Sequence, residues 1–137
     1  MPQGVFSRGV IGHSEKIDHI ATHYVYDDGK AIVAEGGWLM ADGFGFEMSF
    51  NLVLEKATLC YDSTRDPMFR LCPAQGEPFT PEVPSGDGYA GEIDYFLKKL
   101  TGVSLPPITT VENSRESVRI VLAETESVRT GNLVKLD

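Results

Sequence analysis

The sequence predicts a single α+β domain over residues 1–137: an open, largely antiparallel β-sheet of about six strands with two C-terminal helices packed on one face. Three observations predict it. Apolar residues recur at period two in the first half of the chain, and the helical period appears only in the last third. A stretch rich in Pro and Gly, residues 73–88, separates the two patterns.

The amino-terminal third contains a predicted strand and a predicted hairpin. Gly4–Ile11 is the first strand, and Asp18–Asp27 and Lys30–Leu39 flank Asp28-Gly29, a dipeptide suited to a two-residue type I′ turn. The register of that turn places Val25 opposite Ile32, Tyr24 opposite Val33 and His19 opposite Trp38.

The middle of the chain predicts three more strands. Phe44–Leu54 alternates apolar and other residues over eleven positions, which indicates one buried face. Ala57–Tyr61 and Met68–Cys72 follow as short strands around a turn-rich segment at residues 62–67.

Two helices and a closing strand complete the prediction. The first helix runs from about Tyr89 to Leu100 and stops at Gly102. The second opens with a capping box of Thr109 and Glu112 and ends at Gly131. Its predicted apolar stripe consists of Val111, Val118, Val121, Leu122 and Thr125.

Composition and charge limit which partners and which cellular compartment we expect for this chain. The formal net charge is −8 with scattered Lys and Arg, so we expect no nucleic-acid partner. No run reaches the roughly 20 apolar residues of a membrane helix, and the amino end lacks a secretory signal, so a cytoplasmic setting is expected. In that compartment Cys60 and Cys72 are expected to be free thiols.

Sequence motifs for cofactor binding, metal binding or catalysis are weak. Gly86, Gly88 and Gly91 form a literal G-x-G-x-x-G, but no hydrophobic strand precedes it, so we predict a flexible helix entry and no cofactor site. His13, His19 and His23 are spaced too far apart on a strand to share one ion, so no metal site is expected. No nucleophile motif is present, and no catalytic residue is assigned.

One face of the predicted hairpin is small, aromatic and nearly uncharged. If the helices cover the opposite face, this one needs an intermolecular partner, and we predict a homodimer or a tetramer of dimers through it. Equally, this face could be the helix-covered one, with the other solvated. The predicted interface residues are His19, His23, Val25, Ile32 and Trp38.

Several segments resemble, in order, the second domain of the Gfo/Idh/MocA family of NAD(P)-dependent sugar and polyol oxidoreductases. They are Tyr24-x-Tyr-x-Asp-Gly-Lys-Ala, Glu35-Gly-Gly-Trp, the run Ala57-Thr-Leu-Cys-Tyr-Asp, Glu92-Ile-x-Tyr-Phe-Leu, Glu116-Ser-Val-Arg-Ile-Val-x-Ala-Glu and Thr130-Gly-x-x-Val-x-Leu. The sequence departs from the family at Leu54-Glu-Lys-Ala57, where relatives usually have glycine at both ends of the turn.

The resemblance implies a substrate-wall and oligomerisation domain that is not catalytically competent alone. The family's nucleotide-binding Rossmann domain, which would supply NAD or NADP, and its E-K-P lysine are both missing from this sequence. On the same basis Asp87 and Tyr89 are the expected substrate-side residues. The alternatives are a stand-alone dimeric binding or scaffold module, or a small independent α+β enzyme.

Overall fold

A computed structural model describes residues 1–83 and 86–136. In chain order the elements are β1 (Gly4–Val10), β2 (His19–Val25), β3 (Ile32–Gly37), β4 (Ser49–Val53), β5 (Ala57–Asp62), β6 (Phe69–Pro73), α1 (Gly88–Leu100), α2 (Val111–Thr130) and β7 (Val134–Lys135). Contacts divide the chain into two compact units, the first comprising Met1–Ala41 with Pro106–Asp137 and the second Asp42–Leu105.

The first unit is an antiparallel sheet in the order β3-β2-β1-β7, with α2 packed against β1 and β7. Its helix-covered face carries Val5 and Ser7 from β1 and Thr22 from β2, all buried. Val5 and Ala123 are the buried hydrophobic residues of the described chain, so this core is small and partly polar.

The β2–β3 hairpin forms, but its predicted register is wrong by one residue. Tyr24 pairs with Ile32, and continuing this register leaves Asp27–Gly29 as a three-residue loop between Tyr26 and Lys30. Among the described residues only glycines have a positive φ, and Gly29 at 74° is the one in this turn. A type I′ turn needs two such residues, whereas a type I turn followed by a left-handed glycine needs one.

The loop is held by Lys30. Its ammonium lies 4.5 Å from the centroid of the Tyr26 ring and 2.7 Å from Asp28 Oδ2. These contacts fit the observed register, because they need Tyr26 and Lys30 side by side across the loop.

Helix α2 forms where predicted but packs through a different face. Its buried residues are Ala123, Glu124 and Ser127, whereas the predicted stripe of Val111, Val118, Val121, Leu122 and Thr125 is exposed. Small side chains let the helix approach the sheet closely: a Cβ on Gly9 would lie 3.2 Å from Val128 Cγ1.

The caps of α2 are partly as predicted. The N-cap is Thr110, whose hydroxyl accepts the Asn113 N–H at 3.1 Å, so the predicted box of Thr109 and Glu112 is displaced by one residue. Gly131 closes the helix in the left-handed region at φ 70°, as expected.

The second unit is an antiparallel sheet in the order β4-β5-β6, followed by α1. The predicted strand Phe44–Leu54 is reduced to Ser49–Val53, and its Phe50 is half exposed and stacked on Tyr61 at a centroid distance of 5.7 Å. No described residue of this unit is buried, and helix α1 likewise has no buried residue.

The α+β class with antiparallel strands is therefore confirmed. The difference lies in the grouping, because the seven strands of the described residues form two sheets instead of one sheet of about six. Within the described residues, no helix is long and apolar enough to cross a membrane.

Candidate functional site

A polar seam joins the sheet of the first unit to α2. Ser127 Oγ accepts the Ser7 backbone N–H at 2.8 Å and donates to the Asn132 carbonyl at 2.6 Å. The Ser7 hydroxyl lies 2.8 Å from the Thr22 hydroxyl. Because these groups are buried, each bond replaces one that water would otherwise make.

The seam ends at Tyr24, whose hydroxyl donates to Glu124 Oε1 at 2.6 Å. Burial, followed by the hydrogen bond to the Glu124 carboxylate, raises the pKa of Tyr24 well above its ordinary value of 10.0. The Tyr24 phenol therefore stays protonated, and by donating its proton to the hydrogen bond it holds the Glu124 carboxylate in place. Sequence analysis missed this pair; the available signal was Glu124 and Ser127 spaced three apart on one helix face.

Asp18 organises the loop between β1 and β2. Its Oδ2 accepts the backbone N–H groups of Gly12, His13 and Ser14 at 2.8–2.9 Å, and Oδ1 accepts the Ser14 hydroxyl at 2.6 Å. These bonds, the Ser14 hydroxyl first, hold the pKa of Asp18 far below 3.8. His13 thus belongs to a turn built around a carboxylate.

The sheet face opposite α2 is here called the open face. Strand pairing arranges it in cross-strand rows of neighbouring residues, called rungs, among them Phe6–His23–Val33, Arg8–Ala21–Glu35 and Val10–His19–Gly37; Gly4 pairs with Val25 in a further rung. Phe6 is 40% exposed and Val33 69% exposed. His19 Nε2 lies 3.0 Å from Glu35 Oε1.

The open face holds some of the predicted interface residues and not others. His19, His23 and Val25 share the strand parity opposite to the buried Thr22, so they lie on the open face. Ile32 does not, because the one-residue register change pairs it with Tyr24 on the helix side. Trp38 lies one residue beyond β3, is 85% exposed, and donates its backbone N–H to the Asp18 carbonyl.

Asp87 and Tyr89 meet at the amino end of α1. Asp87 is the N-cap, and its Oδ1 accepts the Tyr89 N–H at 2.9 Å. The Tyr89 side chain is 75% exposed. The structure thus brings the two predicted substrate-side residues together, with the carboxylate capping the helix and the phenol free to contact a ligand.

The G-x-G-x-x-G glycines span this helix entry. A dinucleotide site uses free N–H groups at a helix amino end after a parallel strand. Here the described strands pair antiparallel, and the Asp87 carboxylate takes the position of an anion. The residues present do not fit a pyrophosphate.

Other candidate groups stay dispersed. Within residues 1–83 and 86–136 no three His, Cys, Asp or Glu side chains are close enough to hold a metal ion. Cys60 and Cys72 form no disulfide and are partly exposed. A groove of about 670 Å³ in the first unit is lined by Gly9, Ile11, Glu15, Lys16, Ile17, Thr125, Val128 and Arg129.

Comparison with known proteins gives structural neighbours only. No protein-family model and no curated protein sequence matches the chain. A Thermotoga maritima protein assigned to the oxidoreductases superposes with a TM-score of 0.81 at 18% identity, covering 99% of this chain and 41% of that one.

Two further neighbours are complexes. The WlbA dehydrogenase from Bordetella pertussis, solved with NADH and UDP-GlcNAcA, gives a TM-score of 0.73 at 17% identity, over 99% of this chain and 39% of that one. The aldose-aldose oxidoreductase from Caulobacter crescentus, solved with glycerol, gives a TM-score of 0.75 at 17% identity, over 98% of this chain and 41% of that one.

The chain thus spans about two fifths of the length of these neighbours. They are oxidoreductases of the Gfo/Idh/MocA type, so the resemblance read from the sequence is confirmed at the level of fold. Nearly the whole chain has the fold of one part of these enzymes.

Proposed function

We propose that this chain is the carboxy-terminal domain of an NAD(P)-dependent oxidoreductase of the Gfo/Idh/MocA type. In that enzyme it walls the substrate site and carries contacts between subunits, and alone it is not catalytically competent. The observation that supports the proposal most is the coverage: nearly all of this chain superposes on about two fifths of each neighbour. A Rossmann domain would supply the nicotinamide in a reducing, cytoplasmic setting.

The neighbours' ligands support the choice of substrate class. One was solved with a nucleotide sugar and NADH, and another with glycerol. We therefore propose a sugar- or polyol-like substrate whose hydroxyl carbon exchanges hydride with the nicotinamide. A bound nicotinamide would supply the hydride chemistry, and residues of this domain would orient the substrate.

Asp87 and Tyr89 are the proposed substrate-side groups. The exposed Tyr89 phenol can stack on a sugar ring or donate to a hydroxyl, while Asp87 fixes the start of the helix beneath it. Asp87 also places negative charge beside the substrate, and carboxylates accept hydrogen bonds from sugar hydroxyls.

The test uses the full-length enzyme that contains this domain, assayed for NAD(P)H formation against sugars, nucleotide sugars and polyols. We expect Asp87→Asn to raise KM for the substrate about tenfold with the helix intact, because Asn caps a helix as well as Asp does. Asp94→Asn on the same helix, which removes the pair to Lys98, is the matched control.

Two results would contradict the proposal. A full-length protein without a nucleotide-binding domain would favour the stand-alone module or the small enzyme. An unchanged KM in Asp87→Asn, with activity present, would remove Asp87 from the substrate site and leave the parent activity in place.

A further inference from the structure

We propose that Cys60 and Cys72 form a two-sulfur site for one soft metal ion, Cu(I), on one face of the β4-β5-β6 sheet. These are the two cysteines of the sequence, and both are free thiols with partial exposure. The site uses none of the residues assigned to the substrate, so it stands apart from the proposed function.

Strand pairing places both thiols on the same face of the sheet. Cys60 on β5 pairs with Arg70 on β6, and Thr58 pairs with Cys72. Because alternate residues of a strand point to the same face, Cys72 shares the face of Arg70 and therefore that of Cys60. The two cysteines are diagonal neighbours across the β5–β6 pair.

The diagonal spacing suits a bridging ion better than a disulfide. Diagonal neighbours on an antiparallel pair have Cα atoms about 7–8 Å apart. A disulfide needs Cα atoms within about 7 Å and Cβ atoms about 3.8 Å apart. Two metal–sulfur bonds of about 2.3 Å each, arranged in line, hold the sulfurs about 4.6 Å apart. Two cysteine side chains can reach that separation across a diagonal.

The number and type of ligands select the metal. Thiolates are soft ligands that favour Cu(I), Zn²⁺ and iron–sulfur clusters. Structural zinc takes four protein ligands, and the part of the chain that the structure describes brings no three His, Cys, Asp or Glu side chains together. Cu(I) is stable with two thiolates in a line, so this pair can satisfy it without further ligands.

Arg70 completes the site. Its Nη2 lies 4.0 Å from the Cys72 sulfur, and the residue is exposed. Among the described residues it takes part in none of the ion pairs. One Cu(I) ion with two thiolates carries a net charge of −1, which the guanidinium offsets. An N–H directed at a ligating sulfur also orients that ligand.

Binding exchanges protons for the metal ion. As each metal–sulfur bond forms, its thiol releases a proton to solvent, so one Cu(I) replaces two protons and no electrons are transferred. The affinity for Cu(I) should therefore rise with pH over the range in which free thiols hold their protons.

The experiment is an anaerobic titration of the reduced, purified chain with Cu(I), supplied as its acetonitrile complex, in competition with the chelator bathocuproine disulfonate. We expect one ion per chain and an ultraviolet absorption from thiolate-to-copper charge transfer. X-ray absorption of the complex should show two sulfur neighbours of the copper. Equimolar Zn²⁺ should not displace it, because zinc lacks its further ligands here.

Variants assign the ligands. Cys60→Ser and Cys72→Ser should each lower the affinity for Cu(I) at least about 100-fold, because a hydroxyl is a poor ligand for a soft ion. Arg70→Gln should lower it about tenfold with one ion still bound per chain. Arg65→Gln is the matched control, since this exposed arginine of the same unit pairs with Asp62, and it should leave the affinity unchanged.

Three results would overturn the site. The first is wild-type affinity in either cysteine variant, with circular dichroism showing that the variant is folded. The second is one ion per two chains in sedimentation, since the sulfurs would then come from different molecules. The third is oxygen or nitrogen neighbours of the copper in the X-ray absorption spectrum of the wild-type complex, which decides the matter even where a variant fails to fold.

Discussion

At the scale of single residues, the small side chains on the helix-covered face decide how closely α2 lies against the sheet. Gly9 and Gly36 occupy the same rung, on either side of Ile20, yet their surroundings differ. A Cβ on Gly9 would lie 2.8 Å from Ile17 Cγ2, whereas a Cβ on Gly36 would meet nothing within 4 Å. The two positions therefore form a natural comparison.

We expect Gly9→Ala to destabilise the chain by about 1–3 kcal/mol, because the added methyl overpacks the contact with Ile17 and Val128. Gly36→Ala should be close to neutral, since its methyl points into open space. Urea unfolding of both variants measures the difference. Equal stability would mean that Ile17 and α2 can shift to make room without cost.

At the scale of elements, α2 shows why a hydrophobic stripe alone predicted the wrong buried face of a helix. The stripe of valines and leucine read from the sequence is exposed, and the buried face is built from Ala123, Glu124 and Ser127. Hydrogen bonds to Ser7 and Tyr24 replace apolar burial at this contact. Helical periodicity identifies a helix, but it cannot weigh a polar seam against an apolar stripe.

Ser127→Ala tests the seam. The substitution leaves the buried Ser7 N–H without its acceptor and should cost about 1–3 kcal/mol in the free energy of unfolding. Ser117→Ala on the same helix removes only an exposed hydroxyl bonded to the Asn113 carbonyl, and should be neutral or slightly stabilising. Thermal unfolding of the two variants is the measurement. If both lost the same stability, the hydrogen bonds of the seam would contribute no more than helix propensity does.

At the scale of the whole molecule, element order and type were predictable because turn residues and periodicity are local signals. The prediction found the first strand, the hairpin, both helices and the short closing strand. The hairpin register was not predictable from Asp28-Gly29, since the same dipeptide fits a two- or three-residue loop, and the difference moved Ile32 to the other face. Asp87 and Tyr89 are two residues apart at a helix start, so their proximity followed from sequence alone.

The absence of a fitting nucleotide site in the described chain leads to the last prediction. Calorimetric titration of the isolated chain should show no saturable binding of NAD or NADP, because the Asp87 carboxylate already accepts the N–H at the start of α1 and repels a pyrophosphate. Asp87→Asn should not create binding, since the antiparallel strands still provide no β-α-β frame. Gly88→Val is the control, and we expect the fold to tolerate it because a Cβ there meets nothing within 4 Å. Saturable heat that disappears in Gly88→Val would show that this glycine motif does bind the cofactor, and that the domain contributes more to the parent enzyme than a wall for its substrate.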